Sequence, residues 1–249
     1  MLLYIILFLA GVTAGFMNTL AGGGSTLTLP VLILLGLPSP IANATNRVAI
    51  LFQNVVGSVR FAKYKELDVK PVVHITIAAI VGAIIGSLFA VKLNSQVFDK
   101  VLGVVLILML VLIFRPKKKV AAERKSIPKW LEIVIFFCVG LYGGFIQAGV
   151  GFIFLATLNL VENFNLVRAN AVKVFIVMCY TFFAVIVFAV SGKIIWGYGL
   201  LLAAGNMLGA YIGVHAAVKK GADFVKVVIA VAVIVACMKL FGIFTLLGI

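Results

Sequence analysis

Acidic side chains are nearly missing from this chain. Seven Asp and Glu stand against 21 Lys and Arg in 249 residues, and charged residues of all kinds make up 11%. A water-facing globular domain carries about 25% charged residues, so this chain cannot cover a soluble surface. Glu66, Asp68, Asp99, Glu123, Glu132, Glu162 and Asp223 all fall in loops or near the ends of apolar runs. That placement leaves no paired intramembrane carboxylates for acid/base chemistry or a proton relay. Histidine occurs twice, at His74 and His215, and a proton-relay role for either needs burial and a partner. Cys138, Cys179 and Cys237 sit singly in apolar runs without CxxC or Cys/His spacing. Neither a disulfide framework nor a metal site is readable from them, and they read as small packing residues. No GxSxG, HExxH or cofactor motif occurs, so the chain reads as a non-enzyme without a cofactor.

Apolar length fills the space that charge leaves. Hydrophobic residues make up 64% of the chain, and the mean hydropathy is +1.27. Apolar runs cover residues 2–20, 27–37, 44–62, 71–91 and 97–114, then 130–148, 152–161, 169–190, 196–218 and 224–247. Their length without period-two alternation excludes a membrane barrel and predicts an all-α polytopic membrane protein. The first run lacks a basic flank and is expected to stay as a first helix rather than leave as a signal peptide. A net charge of +14 would suggest nucleic acid in a soluble protein. Here it is read as topology, because cytoplasmic loops collect Lys and Arg, and no nucleic-acid partner is expected.

Runs 27–37 and 152–161 are too short to cross a bilayer. Each follows a glycine-rich break, AGGGS at 21–25 and AGVG at 148–151. The breaks occupy matching places because the chain repeats. GVTAGFMNTLAGG from Gly11 aligns with GLYGGFIQAGVGF from Gly140 at an offset of 129. ANATNR at 42–47 meets ANAVKV at 169–174 at an offset of 127, which also places Gly82, Gly86 and Lys92 on Gly209, Gly213 and Lys219. Two repeats of about five helical elements are expected, 1–114 and 130–249, joined by a basic linker over 115–129, with broken or re-entrant helices at the glycine segments.

Loop charge bears on orientation. Arg60, Lys63, Lys65 and Lys70 lie two spans from the linker, so both can face the cytoplasm. The matching loop of the second half, 191–195, holds only Lys193, while Lys219, Lys220 and Lys226 crowd the next. That swap fits inverted halves, with Lys92 and Lys100 against it. The linker is expected inside and both termini outside, in a multi-pass protein of the cell (inner) membrane.

Interior polar residues gather at the breaks and at the start of the third run of each half. They are Asn18, Thr19, Ser25, Thr26, Asn43, Thr45, Asn46 and Arg47, then Gln147, Asn170 and Lys173. One reading is interhelical glue, worth ~0.6–2 kcal/mol per contact. The other, favoured by recurrence in both halves, is a binding site. Helix starts at the breaks would aim positive dipole ends at it, and Arg47 and Lys173 add full charge, so the ligand should be an anion. Interfacial snorkelling is the alternative for these two cations. Trp130, Trp196, Tyr4 and Tyr198 read as interface anchors.

The segment AGFMNTLAGGGSTLTLPVLILLGLPSPIANATNRVAIL, residues 14–51, resembles the first-half signature of the TauE/SafE sulfite exporter family. AGVGF with RANAVKV is similar to its second-half partner, without the fuller glycine run or the Thr-Asn pair. The resemblance spans essentially the whole chain. It implies an integral membrane carrier of small anions such as sulfite, thiosulfate, sulfonates or sulfoacetate-like compounds, with sites at symmetric broken helices. The expected function is alternating-access transport. Gly22, Gly23, Gly24, Gly149 and Gly151 would offer backbone, Asn18, Thr19, Ser25, Asn43, Thr45, Asn46, Gln147 and Asn170 hydrogen bonds, and Arg47 and Lys173 charge. An anion channel on the same elements is the runner-up. An intramembrane enzyme would rest on Ser25 with His215 alone. The expected partners are the anion and the bilayer, and a homodimer stays open.

Overall fold

The structure, a computed structural model, describes residues 2–20, 22–101, 104, 127–161 and 164–240. Residues 115–126 of the linker expected at 115–129, and the distal parts of the runs expected at 97–114 and 224–247, lie outside these. Every regular element among the described residues is helical: α1 Leu2–Leu20, α2 Ser25–Leu34, α3 Ser39–Lys63, a 3-10 turn Lys70–Val72, α4 Val73–Lys92, α5 Lys129–Phe145, α6 Val150–Val161, α7 Leu166–Val190 and α8 Trp196–Leu240, with residues 95–101 and 104 also helical. Leu3–Leu20, Lys70–Lys92, Leu166–Val190 and Trp196–Lys220 are long and apolar enough to cross a bilayer, whereas α2 and α6 are the short apolar helices expected after the breaks. The chain is a multi-pass membrane protein.

Local chemistry explains the boundaries of α3 and α7. α3 opens on Pro38 and Pro40, which fit a first turn because the donors they lack would have no intrahelical partner. Asn165 caps α7 by accepting from the Arg168 amide at 2.8 Å. α3 and α7 end in the same left-handed cap, with Lys65 at φ 60° and Gly192 at φ 65°. The closing bonds match, Glu66 N–H to Phe61 O at 3.1 Å and Lys193 N–H to Phe188 O at 3.0 Å. One boundary differs from expectation. α8 runs unbroken where separate elements over 196–218 and 224–247 are predicted. A single helix glycine costs about 1 kcal/mol, and Lys and Ala favour helix, so nothing in VKKGAD stops the backbone.

The packing is inside-out relative to a soluble protein. Leu9, Ile77, Phe89, Phe182, Leu200 and Tyr211 are exposed, while Arg47, Lys173, Asn43, Asn46, Gln53 and Asn170 are buried. Lipid as the outer solvent accounts for the first set, and the second set must find partners within the protein.

The two halves are interleaved. α1 packs chiefly on α8, and α4 chiefly on α5. Glycines let these pairs approach until backbone touches backbone. A Cβ added at Gly11 would meet Leu202 O, and one at Gly140 would meet Ala79 O. Gly15 faces Asn206 and Gly144 faces Ala83; Gly205 faces Phe8 and Gly82 faces Phe137; Gly209 faces Val12 and Gly86 faces Leu141. By contact, therefore, Gly82 and Gly86 correspond to Gly205 and Gly209, one turn away from the pairing with Gly209 and Gly213 read from sequence. Glycine at every fourth position, 205, 209 and 213, lets an alignment slip by a turn. The connections settle it: Ser39 and Leu166 start their helices 127 positions apart, Val73 and Trp196 only 123, because the loop after α7 is four residues shorter.

Gly86→Ala and Gly209→Ala should each cost about 1–3 kcal/mol by overpacking, visible as a lower thermal midpoint in detergent. Gly197, with nothing within 4 Å of an added Cβ, should accept alanine with an unchanged or slightly raised midpoint.

Candidate functional site

Two helix interruptions define the site. α1 stops at Leu20 and α2 begins at Ser25; α5 stops at Phe145 and α6 begins at Val150. Gly22 and Gly149 adopt left-handed backbone at φ 89° and 71°. The two breaks touch: a Cβ on Gly22 would overlap Gly151 Cα, and one on Gly151 would overlap Gly22 Cα. Gly23 lies against the Phe152 ring and Gly24 against Ala14 O.

Breaking a helix inside a membrane strands its last carbonyls, which water cannot reach. The two interior cations meet that need. Fully buried Arg47, on α3, crosses to α5. Its Nη1 donates to Gly143 O at 2.5 Å and to Gln147 Oε1 at 2.7 Å, and its Nη2 donates to Gly144 O at 2.8 Å. One turn earlier, Asn43 Nδ2 donates to Phe145 O at 3.1 Å. Lys173, on α7, crosses to α1 and donates to Asn18 O at 2.9 Å and Thr19 O at 3.2 Å, and within its own helix to Asn170 Oδ1 at 2.8 Å. Asn170 Nδ2 donates to Leu20 O at 3.0 Å. Each broken helix is thus closed by a cation and an asparagine from the third helix of the opposite half. Lys173 has its three ammonium protons engaged, whereas Arg47 keeps Nε–H unpaired.

The remaining expected residues divide between the breaks and their flanks. Thr28 Oγ1 donates to Asn46 Oδ1 at 2.8 Å, tying α2 to α3, and Asn46 Nδ2 stays unpaired. Gln147 Nε2 donates to Tyr180 OH at 3.1 Å. Ser25 is buried at the start of α2. Thr19 Oγ1 turns back to Gly15 O at 2.8 Å. Thr45 Oγ1 accepts from Ile195 N–H at 3.0 Å and so faces the α7–α8 connection. Sequence reasoning passed over Thr28, Gln53, Tyr180 and Asn206. Asn206 had a signal, as an amide inside the apolar run 196–218, and Gln53 stands 127 positions before Tyr180.

Neither histidine enters this arrangement. His74 Nε2 lies 3.0 Å from Glu132 Oε2, joining the starts of α4 and α5. His215 Nδ1 lies 2.9 Å from the Tyr64 hydroxyl.

This geometry defines a class: a helical multi-pass membrane protein with a polar, cationic interior around two broken helices. A family model described as "Sulfite exporter TauE/SafE" matches residues 7–240, and the chain belongs to that family. Its relatives include a "Probable membrane transporter protein ORF9" from Sinorhizobium sp, 27% identical over 94% of this chain and 90% of its own length. A "Probable membrane transporter protein" from Haemophilus influenzae is 26% identical over 91% and 89%, and "YfcA" from Escherichia coli K12 is 26% identical over 94% and 88%. No solved structure matches the chain. Family and relatives together support a membrane transporter.

Arg47→Ala should lose about 3 kcal/mol, because it leaves buried carbonyls without a donor, and Arg47→Lys should lose less. Thermal unfolding in detergent measures both, and an unchanged midpoint for Arg47→Ala would contradict the capping role.

Proposed function

We propose that the chain carries small oxyanions or organosulfur anions, of the sulfite, thiosulfate, sulfonate or sulfoacetate-like class, across the cell (inner) membrane by alternating access between inverted halves. The observation that carries this reading is the pair of buried cations beside two touching breaks, with only carbonyls and amides as hydrogen-bond partners. A helix C-terminus contributes roughly −0.5 charge and an N-terminus roughly +0.5, so where α1 and α5 end and α2 and α6 begin the dipole ends largely cancel. The charges of Arg47 and Lys173 are left for a ligand to balance. The family description brings sulfite, and the relatives' names bring transport.

Helix directions support the inversion. Contacts Gly11–Leu202 and Gly15–Asn206 run α1 parallel to α8. Contacts Thr45–Ile195, Gln53–Asn206 and Tyr64–His215 run α3 parallel to α8. Asn43–Phe145 and Arg47–Gly143 run α5 antiparallel to α3. α1 and its sequence counterpart α5 therefore point opposite ways. In this reading the linker is cytoplasmic and the N-terminus lies outside; the C-terminus expected outside needs a return span over 224–247, and α8, parallel to α1 and unbroken to Leu240, makes no such return.

The anion sits where the breaks meet, against the backbones of Gly22, Gly23, Gly24, Gly149 and Gly151. Arg47 Nε–H and Asn46 Nδ2 are the unpaired donors nearest in sequence to the caps, and Ser25, Asn18 and Gln147 line the approaches. Lys173 contributes charge rather than a hydrogen bond, Asn43 and Asn170 hold the helix ends, and Thr19 and Thr45 shape the flanks. Because the breaks touch, alternating access would part and rejoin them.

In proteoliposomes the protein should take up sulfite saturably. An Arg47→Gln, Lys173→Gln double variant, which keeps hydrogen-bonding groups but removes both charges, should lose roughly tenfold or more of that flux. Unaltered flux in the folded variant would overturn the electrostatic reading.

A further inference from the structure

A chain of side-chain amides joins α1, α3 and α8 beside the α1 cap, where Lys173 holds the Asn18 carbonyl. Gln53 Oε1 accepts from Asn18 Nδ2 at 3.2 Å and from Asn206 Nδ2 at 3.2 Å. Gln53 is 1% exposed and Asn206 2%. The outer ends of this amide chain, Gln53 Nε2 and Asn206 Oδ1, have no partner. Turning all three amides over preserves both bonds and leaves Gln53 Oε1 and Asn206 Nδ2 open instead. In either arrangement one donor and one acceptor face nothing, an expensive state for buried groups at membrane depth.

The repeat does not impose this cluster. The positions matching Asn18 and Gln53 are Gln147 and Tyr180, which share a hydrogen bond of the same kind. The position matching Asn206 by helix contact is Ala83, which has no polar group. Arg47 takes up Gln147 Oε1 there. An amide chain with an unpaired donor on Gln53 and an unpaired acceptor on Asn206 thus spans the two halves, and the positions that the repeat relates to it carry no such chain.

We propose that Gln53 and Asn206 bind a monoprotonated oxyanion, an oxygen of which accepts from one amide while its hydroxyl donates to the other. The proposal deepens the transport reading above and rests on it. A fully ionised oxyanion offers acceptors alone and would set its lone pairs against the open amide oxygen. A sulfonate has no hydroxyl on sulfur and meets the same mismatch, so within the class proposed above the cluster favours sulfite over sulfonates. Sulfite near neutral pH is present in part as HOSO2−, which fits both groups. The proton then crosses on the substrate and is released on the far side as HOSO2− gives SO3(2−) and H+. No intramembrane carboxylate is needed.

The test uses the full-length protein in phosphatidylcholine–phosphatidylglycerol vesicles with a trapped pH dye, equal pH near 7 on both sides, sulfite added outside, and protein-free vesicles subtracted. Sulfite uptake should acidify the lumen, and excess methanesulfonate should compete weakly. Gln53→Leu, Asn206→Leu, which removes both unpaired groups together, should fold and lose about tenfold or more of the uptake. Uptake that turns the lumen alkaline, as entry of SO3(2−) would, overturns the proposal and leaves anion transport standing. So does suppression of the sulfite signal by an equal concentration of methanesulfonate to about half, or uptake by the folded double variant equal to the parent's, which would make the cluster helix glue. If the variant does not fold, the sign of the dye signal in the parent still decides. No sulfite uptake by the parent overturns the transport reading itself.

Discussion

The structure depends on how two helices can end inside a membrane. Each break at Gly22 or Gly149 leaves carbonyls with no water and no following turn to satisfy them. A neutral donor would satisfy one such group; a guanidinium or an ammonium satisfies two and also meets the negative end of the helix dipole. Arg47 closes α5 and Lys173 closes α1, each across the boundary between halves. Neither half can end its own broken helix, so the breaks hold the halves together as much as they interrupt them.

Close packing puts the caps in reach. Backbone contact of α1 with α8 and of α4 with α5 requires glycine on the facing stripes, and the touching Gly22 and Gly151 bring both breaks to one place. The interior that results is polar and cationic, and the exterior is apolar. The same residues serve stability and ligand chemistry in different proportions. The ammonium of Lys173 is spent on carbonyls, and its remaining contribution is charge. Arg47 keeps one donor free, and Gln53 with Asn206 keep one donor and one acceptor.

Much of this was legible in the residue order. Apolar runs without alternation define helices, and glycine next to a run too short to cross marks a break. The match of ANATNR to ANAVKV draws attention to Arg47 and Lys173. What those cations touch was not legible, because Gly143 and Asn18 are about a hundred or more positions away and are brought close only by the interleaved packing. The glycine register was misread by one turn for a related reason: a stripe with period four looks the same at each step, and a four-residue difference in loop length decides among them. α8 continues past Lys219 because lysines mark a membrane boundary without stopping a helix. Gln53 and Asn206 escaped notice because a single amide in a long run is unremarkable until a second one faces it.

The central claim is that the touching breaks, with their buried cations, hold an anion. Anomalous diffraction from crystals soaked in selenite, whose selenium marks an oxyanion shaped like sulfite, tests it most directly. The account predicts a selenium peak at the Gly22–Gly151 junction within hydrogen-bond distance of Arg47 Nε or the open amides of Asn46 or Gln53. Selenium found only at surface lysines such as Lys63 or Lys193, with the junction empty at saturating selenite, would contradict it.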